Sequence, residues 1–208
     1  MKIVITCALP IEFNEARNQL GLKEITKKGD LPRVAVSGNL HLLCTGIGKT
    51  NTTVNLFEYL SKVEPDLVID SGTCGSLTDK LHPMDIVISR EAVEFFSYNF
   101  KGHNYLSSLE EIKKVLPSIE LDSCLVATIE DSVDIESNKK KLSESGASIV
   151  TWETSALFSL CIRLKIPCLS IRGVTDSCNE HTHIDFKKNR VQLCKKLYIS
   201  IKNMCKGI

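Results

Sequence analysis

The chain has 208 residues, 43% of them hydrophobic and 25% charged, with a formal net charge of +1. That length suits one domain around a sizeable core, and the composition is that of a globular protein. So small a charge gives no field strong enough to select nucleic acid or an anionic membrane, which leaves a small-molecule partner as the expectation. Nine cysteines at scattered positions, an odd number without a CxxC pair, predict reduced thiols rather than a disulfide framework. The first residues, MKIVITCALPIEF, lack the apolar core and small-residue cleavage site of an export signal, and no run reaches the ~18 apolar residues of a spanning helix. A soluble, cytoplasmic protein is expected.

Taken in chain order, short β-branched runs predict strands at 2–7, 33–38, 41–46, 66–72, 84–90, 123–129, 147–151 and 167–174. Helical spacing predicts helices in IEFNEARNQL, KTNTTVNLFEYLSKV, ESNKKKLSES and ETSALFSLCIRLK, with a last helix over 185–205. This alternation implies an α/β fold: one domain over 1–208, three layers α/β/α, with a central mixed, largely parallel twisted sheet. The hairpin-like pair at 33–46 is the expected antiparallel exception. Ligands of such sheets sit beyond the carboxyl ends of strands. Glu12, the turn GTCGS (72–76) and Asp176 each follow a strand there, so they are candidates to converge on one rim.

Two local patterns mislead. GIGKT (46–50) ends like the phosphate loop of nucleotide triphosphatases, but the glycine that motif requires five positions before Gly48 is Leu43. A tight glycine turn into a helix is expected instead. CNEHTH gathers Cys178, His181 and His183 at a spacing that matches no standard zinc site, so no metal is expected.

Three stretches carry a resemblance: CALPIEF, GIGKTNTTVNLFEYLSKVEPDLVIDSGTCGSL (46–77) and VTWETSALFSLCIRLKIPCLSIRGVTDSCNEHTHIDF (150–186). Together the chain resembles the nucleoside phosphorylase and nucleosidase superfamily, and most closely the methylthioadenosine/S-adenosylhomocysteine nucleosidases. Glu12 matches the last glutamate of the family's A-M-E-E-E, while Thr73 and Gly75 match its glycine turn. Glu153 matches the second glutamate of V-E-M-E-A, Asp176 matches the aspartate of R-A-I-S-D, and Phe186 stands ten residues beyond. The likeness fades over 93–123.

The resemblance implies hydrolysis of the N-glycosidic bond of a 5′-modified adenine nucleoside, with no cofactor, in a homodimer. Asp176 would supply a proton to the leaving base, and Glu12 would be the general base for the attacking water. Glu153 would accept from two ribose hydroxyls. Thr73 and Gly75 would let the backbone approach the ligand. Leu9, Ile47 and Phe186 would line an apolar 5′ pocket, and Val133 and Trp152 would border base and sugar. Read without the family, Glu12 is a first-turn acid that complements a helix dipole, Glu153 and Asp176 are caps, and the apolar trio is core.

Two departures bear on substrate. Trp152 stands where the family has a methionine under the sugar, which predicts a smaller pocket there, and Val133 where it has an aromatic residue or leucine, which predicts weaker base stacking. Phosphorylases of this fold place an arginine where this chain has Asp70, so water rather than phosphate is the expected nucleophile, with a carboxylate at 70 repelling phosphate. A phosphate-dependent purine or uridine phosphorylase is the enzymatic alternative. A nucleoside-binding or storage relative without catalysis is the other.

Overall fold

The computed structural model describes residues 1–27, 29–122 and 124–206. The elements in chain order are β1 (Ile3–Cys7), α1 (Pro10–Leu20), β2 (Lys23–Glu24), β3 (Arg33–Ser37), β4 (Leu40–Cys44), α2 (Lys49–Leu60), β5 (Leu67–Ser76) and β6 (Ile86–Ser89). They continue with β7 (Glu91–Ser97), β8 (Phe100–Leu106), α3 (Leu109–Val115), β9 (Leu125–Thr128), α4 (Glu136–Ser143), β10 (Ile149–Thr151), α5 (Thr154–Arg163), β11 (Cys168–Asp176) and α6 (Thr182–Met204). Every predicted strand and helix is present with adjusted ends, α6 starting three residues earlier than expected. Ser123, included in one predicted strand, lies outside the described residues.

One sheet joins all the strands, in the order β2-β3-β4-β1-β5-β10-β9-β7-β8, with β11 against β5 and β6 against β11. Its centre is parallel, β4, β1, β5 and β11 running together. Antiparallel pairing is wider than the one hairpin expected: β10 opposes β5, β6 opposes β11, and β7 and β8 form a second hairpin. The sequence reading missed that hairpin because β8, FKGHNYL, is an outer strand with most side chains exposed and so lacks the apolar signature of a buried strand.

Side-chain alternation along the central strands separates two cores. Ile3, Ile5, Leu67, Ile69, Leu169 and Ile171 face α1 and α6, meeting Phe13, Ala16, Leu197, Tyr198 and Ile201. Val4, Val68, Cys74 and Val174 face the other way and meet Leu56 and Leu60 of α2 and Leu157, Phe158 and Cys161 of α5. Strands buried on both faces must be apolar continuously, which is why β1 reads IVITC without a polar alternation. Truncating Phe158 to alanine in that second core would cost about 3–5 kcal/mol. Among the described residues no helix is long and apolar enough to cross a membrane.

The sheet also creates a gap. On one side β5 pairs with β1 as far as Asp70 and with β10 only from Gly75 onward, while β11 follows its other side through Asp176. Residues 71–74 of β5 therefore have no strand partner on the β1 side. The carboxyl ends of β1 and β10 form the two lips of the opening, the position at which an α/β sheet admits a ligand.

Candidate active site

A cavity of about 320 Å³ fills this gap, within the range of small-molecule sites. All ten residues singled out from sequence line it: Leu9, Glu12, Ile47, Thr73, Gly75, Val133, Trp152, Glu153, Asp176 and Phe186. A larger, more open hollow of about 680 Å³ between the β5 end and α4 contains none of them. Its polar lining includes Asp79, Lys80, Glu136, Lys139 and Lys140, without a buried acid of the kind found in the smaller one.

Glu12 is 1% exposed and its carboxylate accepts four hydrogen bonds. Oε2 accepts from the backbone N–H groups of Ala8 (3.2 Å) and Leu9 (3.0 Å), and Oε1 from the N–H (2.8 Å) and hydroxyl (3.0 Å) of Thr73. One oxygen thus caps α1, as a first-turn acid does, and the other reaches across to β5. Thr73 thus spends both donors on Glu12, rather than on a ligand as expected. Gly72 must be glycine here: its φ is +138°, and a Cβ would lie 2.8 Å from Glu12 Oε1 and 3.0 Å from Nη1 of Arg172.

Glu153, 8% exposed, is the residue that begins α5, and its Oε1 accepts from the N–H of Gly48 (3.0 Å). The next N–H, of Lys49, donates to Glu130 (2.7 Å). The start of α2 is therefore occupied by two carboxylates of the chain itself, which explains physically why GIGKT makes no phosphate loop. Burial pushes the Glu153 carboxyl up to about 7, against the opposing pull of Arg172 and the Gly48 N–H, with Asp70 and Glu12 adding to the rise.

Asp176, 5% exposed, ends β11. Oδ2 accepts from the Thr175 hydroxyl (2.8 Å), and Oδ1 from the Cys178 N–H (3.1 Å) and the Thr182 hydroxyl (3.2 Å). Burial raises its pKa, and these three neutral donors oppose the rise. Gly75 leaves the space it needs, since a Cβ there would lie 3.0 Å from Asp176 Oδ1 and 2.4 Å from the Cys178 sulfur.

Sequence reasoning missed Arg172, which lines the cavity from β11 and is fully buried. Burial works against its charge, but Asp70, Glu153 and Glu12 outweigh that and keep it protonated. Its Nε and Nη2 grip Asp70, whose Oδ2 also accepts from Thr154 (2.7 Å) and Ser170 (2.8 Å). Asp70 is therefore not the open carboxylate expected from sequence; it is an internal counter-ion, 2% exposed. The available signal was one acid and one base in two strands otherwise read as buried, VIDSG and SIRGV, because buried charges come in pairs.

At the far lip Trp152 is 38% exposed and its Nε1 donates to the Asp131 carbonyl (3.0 Å), fastening the loop that carries Val133. Val133 is buried and packs largely as core. Ile47 is exposed, and Leu9 and Phe186 are half-buried. In CNEHTH the Cys178 thiol is buried in the cavity wall while His181 and His183 are exposed. Among the described residues no cluster of His, Cys, Asp and Glu is placed to hold a metal ion.

Comparison with known proteins agrees with the fold. The 5′-methylthioadenosine/S-adenosylhomocysteine nucleosidase of Geobacillus sp. (strain WCH70) is 26% identical over 212 aligned positions, covering 90% of each chain. That of Bacillus subtilis (strain 168) is 26% identical over 70% of this chain and 71% of its own. A crystal structure of a Helicobacter pylori MTAN variant with 5′-methylthioadenosine in its active site superposes with a TM-score of 0.84 at 20% identity, covering 100% and 99% of the two chains. The futalosine hydrolase of the same organism gives 0.85 at 20% identity, covering 100% and 98%. At that identity the superpositions speak for the fold. The model of the phosphorylase superfamily matches residues 2–137 and 132–205, nearly the whole chain and every acid of the cavity. The chain belongs to the phosphorylase superfamily.

Proposed function

We propose that this cavity hydrolyses the N-glycosidic bond of a 5′-modified adenine nucleoside, releasing adenine and the ribose moiety. The observation that carries the reading is the convergence of Glu12, Glu153 and Asp176 in one cavity, each buried and each brought there by a different strand end. Relatives named as nucleosidases of 5′-methylthioadenosine and S-adenosylhomocysteine support the substrate class.

In this mechanism the C1′–N9 bond breaks with its electron pair leaving on the base, and C1′ gains oxocarbenium character. Asp176 delivers a proton to N7 of the departing adenine, for which a carboxyl held up by burial is suited. Glu12 accepts the proton of the water that attacks C1′. Glu153, when ionised, accepts from the two ribose hydroxyls with its two oxygens. Leu9, Ile47 and Phe186 receive the apolar 5′ substituent, while Val133 borders the base and Trp152 the sugar.

Arg172 favours a second reading, phosphorolysis, because a guanidinium beside the reacting sugar could hold phosphate. Its charge is matched by Asp70, however, and Glu12 and Glu153 lie around it. Three carboxylates to one guanidinium oppose an incoming dianion. At 4 Å and an effective dielectric near 20, each unmatched unit charge costs it about 4 kcal/mol per charge it carries. Water is the nucleophile in our reading.

A homodimer is part of the same proposal. Exposed Val54 and Phe57 on α2, Ile162 on α5 and Phe96 and Phe100 on the β7–β8 hairpin lie on elements that pack side by side near the Ile47 lip. Sedimentation of Phe57→Glu against the parent tests this, with a monomeric parent excluding it. The nine free, buried thiols suit a reducing cytoplasm.

The deciding experiment incubates the protein with 5′-methylthioadenosine, with and without phosphate. Adenine and free methylthioribose at equal rates are expected. A sugar 1-phosphate would replace the reading with phosphorolysis, and binding without turnover would leave a non-catalytic relative.

A further inference from the structure

Arg190 lies one helical turn beyond Phe186 on α6, with its Cζ 5.4 Å from the centroid of that ring, which lines the cavity. Its Nε is buried and has no hydrogen-bond partner, and among the described residues no carboxylate comes within ion-pairing distance of its guanidinium. Such a state is costly for an arginine, since a buried donor without an acceptor forfeits its hydration. By contrast, Arg172 in the cavity wall is matched by Asp70, and elsewhere Lys49 is matched by Glu94 and Arg33 by Glu24. An unmatched guanidinium thus stands against the ring of Phe186, one helical turn along α6 from the cavity wall.

We infer that Arg190 is a specificity residue that binds a carboxylate at the end of the nucleoside's 5′ substituent, the tail lying along Phe186 and its anion meeting the open guanidinium donors. This rests on the nucleosidase reading above and narrows it from any 5′-modified adenine nucleoside to those with an anionic tail. A guanidinium suits the task because its planar donors pair with a carboxylate in two-point fashion while its face stays on the ring.

The test compares two nucleosides of matched tail length, 5′-carboxypropylthio-5′-deoxyadenosine and the neutral 5′-butylthio analogue, in the parent and in Arg190→Gln. The parent is expected to favour the carboxylate. Arg190→Gln should lower the ratio of the two kcat/KM values about tenfold or more, the scale of a charge-assisted hydrogen bond, and Arg190→Lys should retain part of it. An unchanged ratio in Arg190→Gln, or an equal or lower kcat/KM of the parent for the carboxylate, overturns the inference; the second result needs no variant to fold. Should the parent release adenine from neither compound, the nucleosidase reading fails separately, and the ratio of calorimetric Kd values decides for Arg190. If the parent binds neither compound, both fall.

Discussion

The two ends of the cavity use the same functional group in opposite surroundings. At the sugar end Glu12 and Glu153 lie around a buried guanidinium, and Glu12 accepts four hydrogen bonds, three of them from backbone N–H groups. At the base end Asp176 has only neutral donors, two hydroxyls and one N–H. No cation offsets its burial, and its pKa is raised. Burial raises both Glu153 and Asp176, but at Glu153 a guanidinium pulls the other way, whereas at Asp176 only neutral donors do. The carboxyl group is constant across the cavity, so the differences between its acids come largely from the neighbours.

Replacing Asp176 with Asn is the strongest way to break this contrast. It keeps the shape and removes the proton carried to the base, so kcat should fall by about 10²–10⁴, with the melting temperature little changed. A variant that loses stability but not turnover would reduce Asp176 to a turn cap. At the other end, Asp70→Asn leaves Arg172 buried without its counter-ion and should destabilise the fold by about 3–5 kcal/mol, measured by urea unfolding. A neutral result would mean that the guanidinium is not held by the pair.

Glu153 sharpens the comparison through pH. Its carboxyl is raised to about 7 in the folded protein, so between the unfolded value near 4.5 and about 7 the native state holds the extra proton. Stability from this group is fully present below that window and is lost as pH rises through it, a change of about 3 kcal/mol at most. Glu153→Gln should therefore gain on the parent in melting temperature from pH 5 to 8. If the diol requires the ionised form, kcat/KM of the parent should rise through about pH 7, and the variant should lack that limb. The smallest effect belongs to Gly75→Ala, whose Cβ would press on Cys178 and Asp176 and cost about 1–3 kcal/mol. Adding Cys178→Ala should restore part of it, and a double variant no better than the single one would show that the sulfur is not the obstacle.

Much of this was legible beforehand, for reasons that differ by element. β1, β5 and β11 are buried on both faces and announce themselves as unbroken apolar runs. Glu12 and Asp176 stood out because acids directly after such runs lie at the sheet's open edge, and Glu153 through the family resemblance. The β7–β8 hairpin was missed because an exposed outer strand is under little pressure to be apolar. Asp70 was misjudged for the opposite reason: a charge within a strand looks like a site residue until its partner, 102 positions away, is known.

The sequence by itself determined the strands, the helices and the set of acids and glycines at their ends, because periodicity, burial and turn geometry are local demands on residue type. Only the tertiary structure decided which of those acids touch the cavity, which one is spent on an arginine, and which donors surround each. Charge state depends on groups brought together from distant segments, and a one-dimensional pattern does not contain those distances.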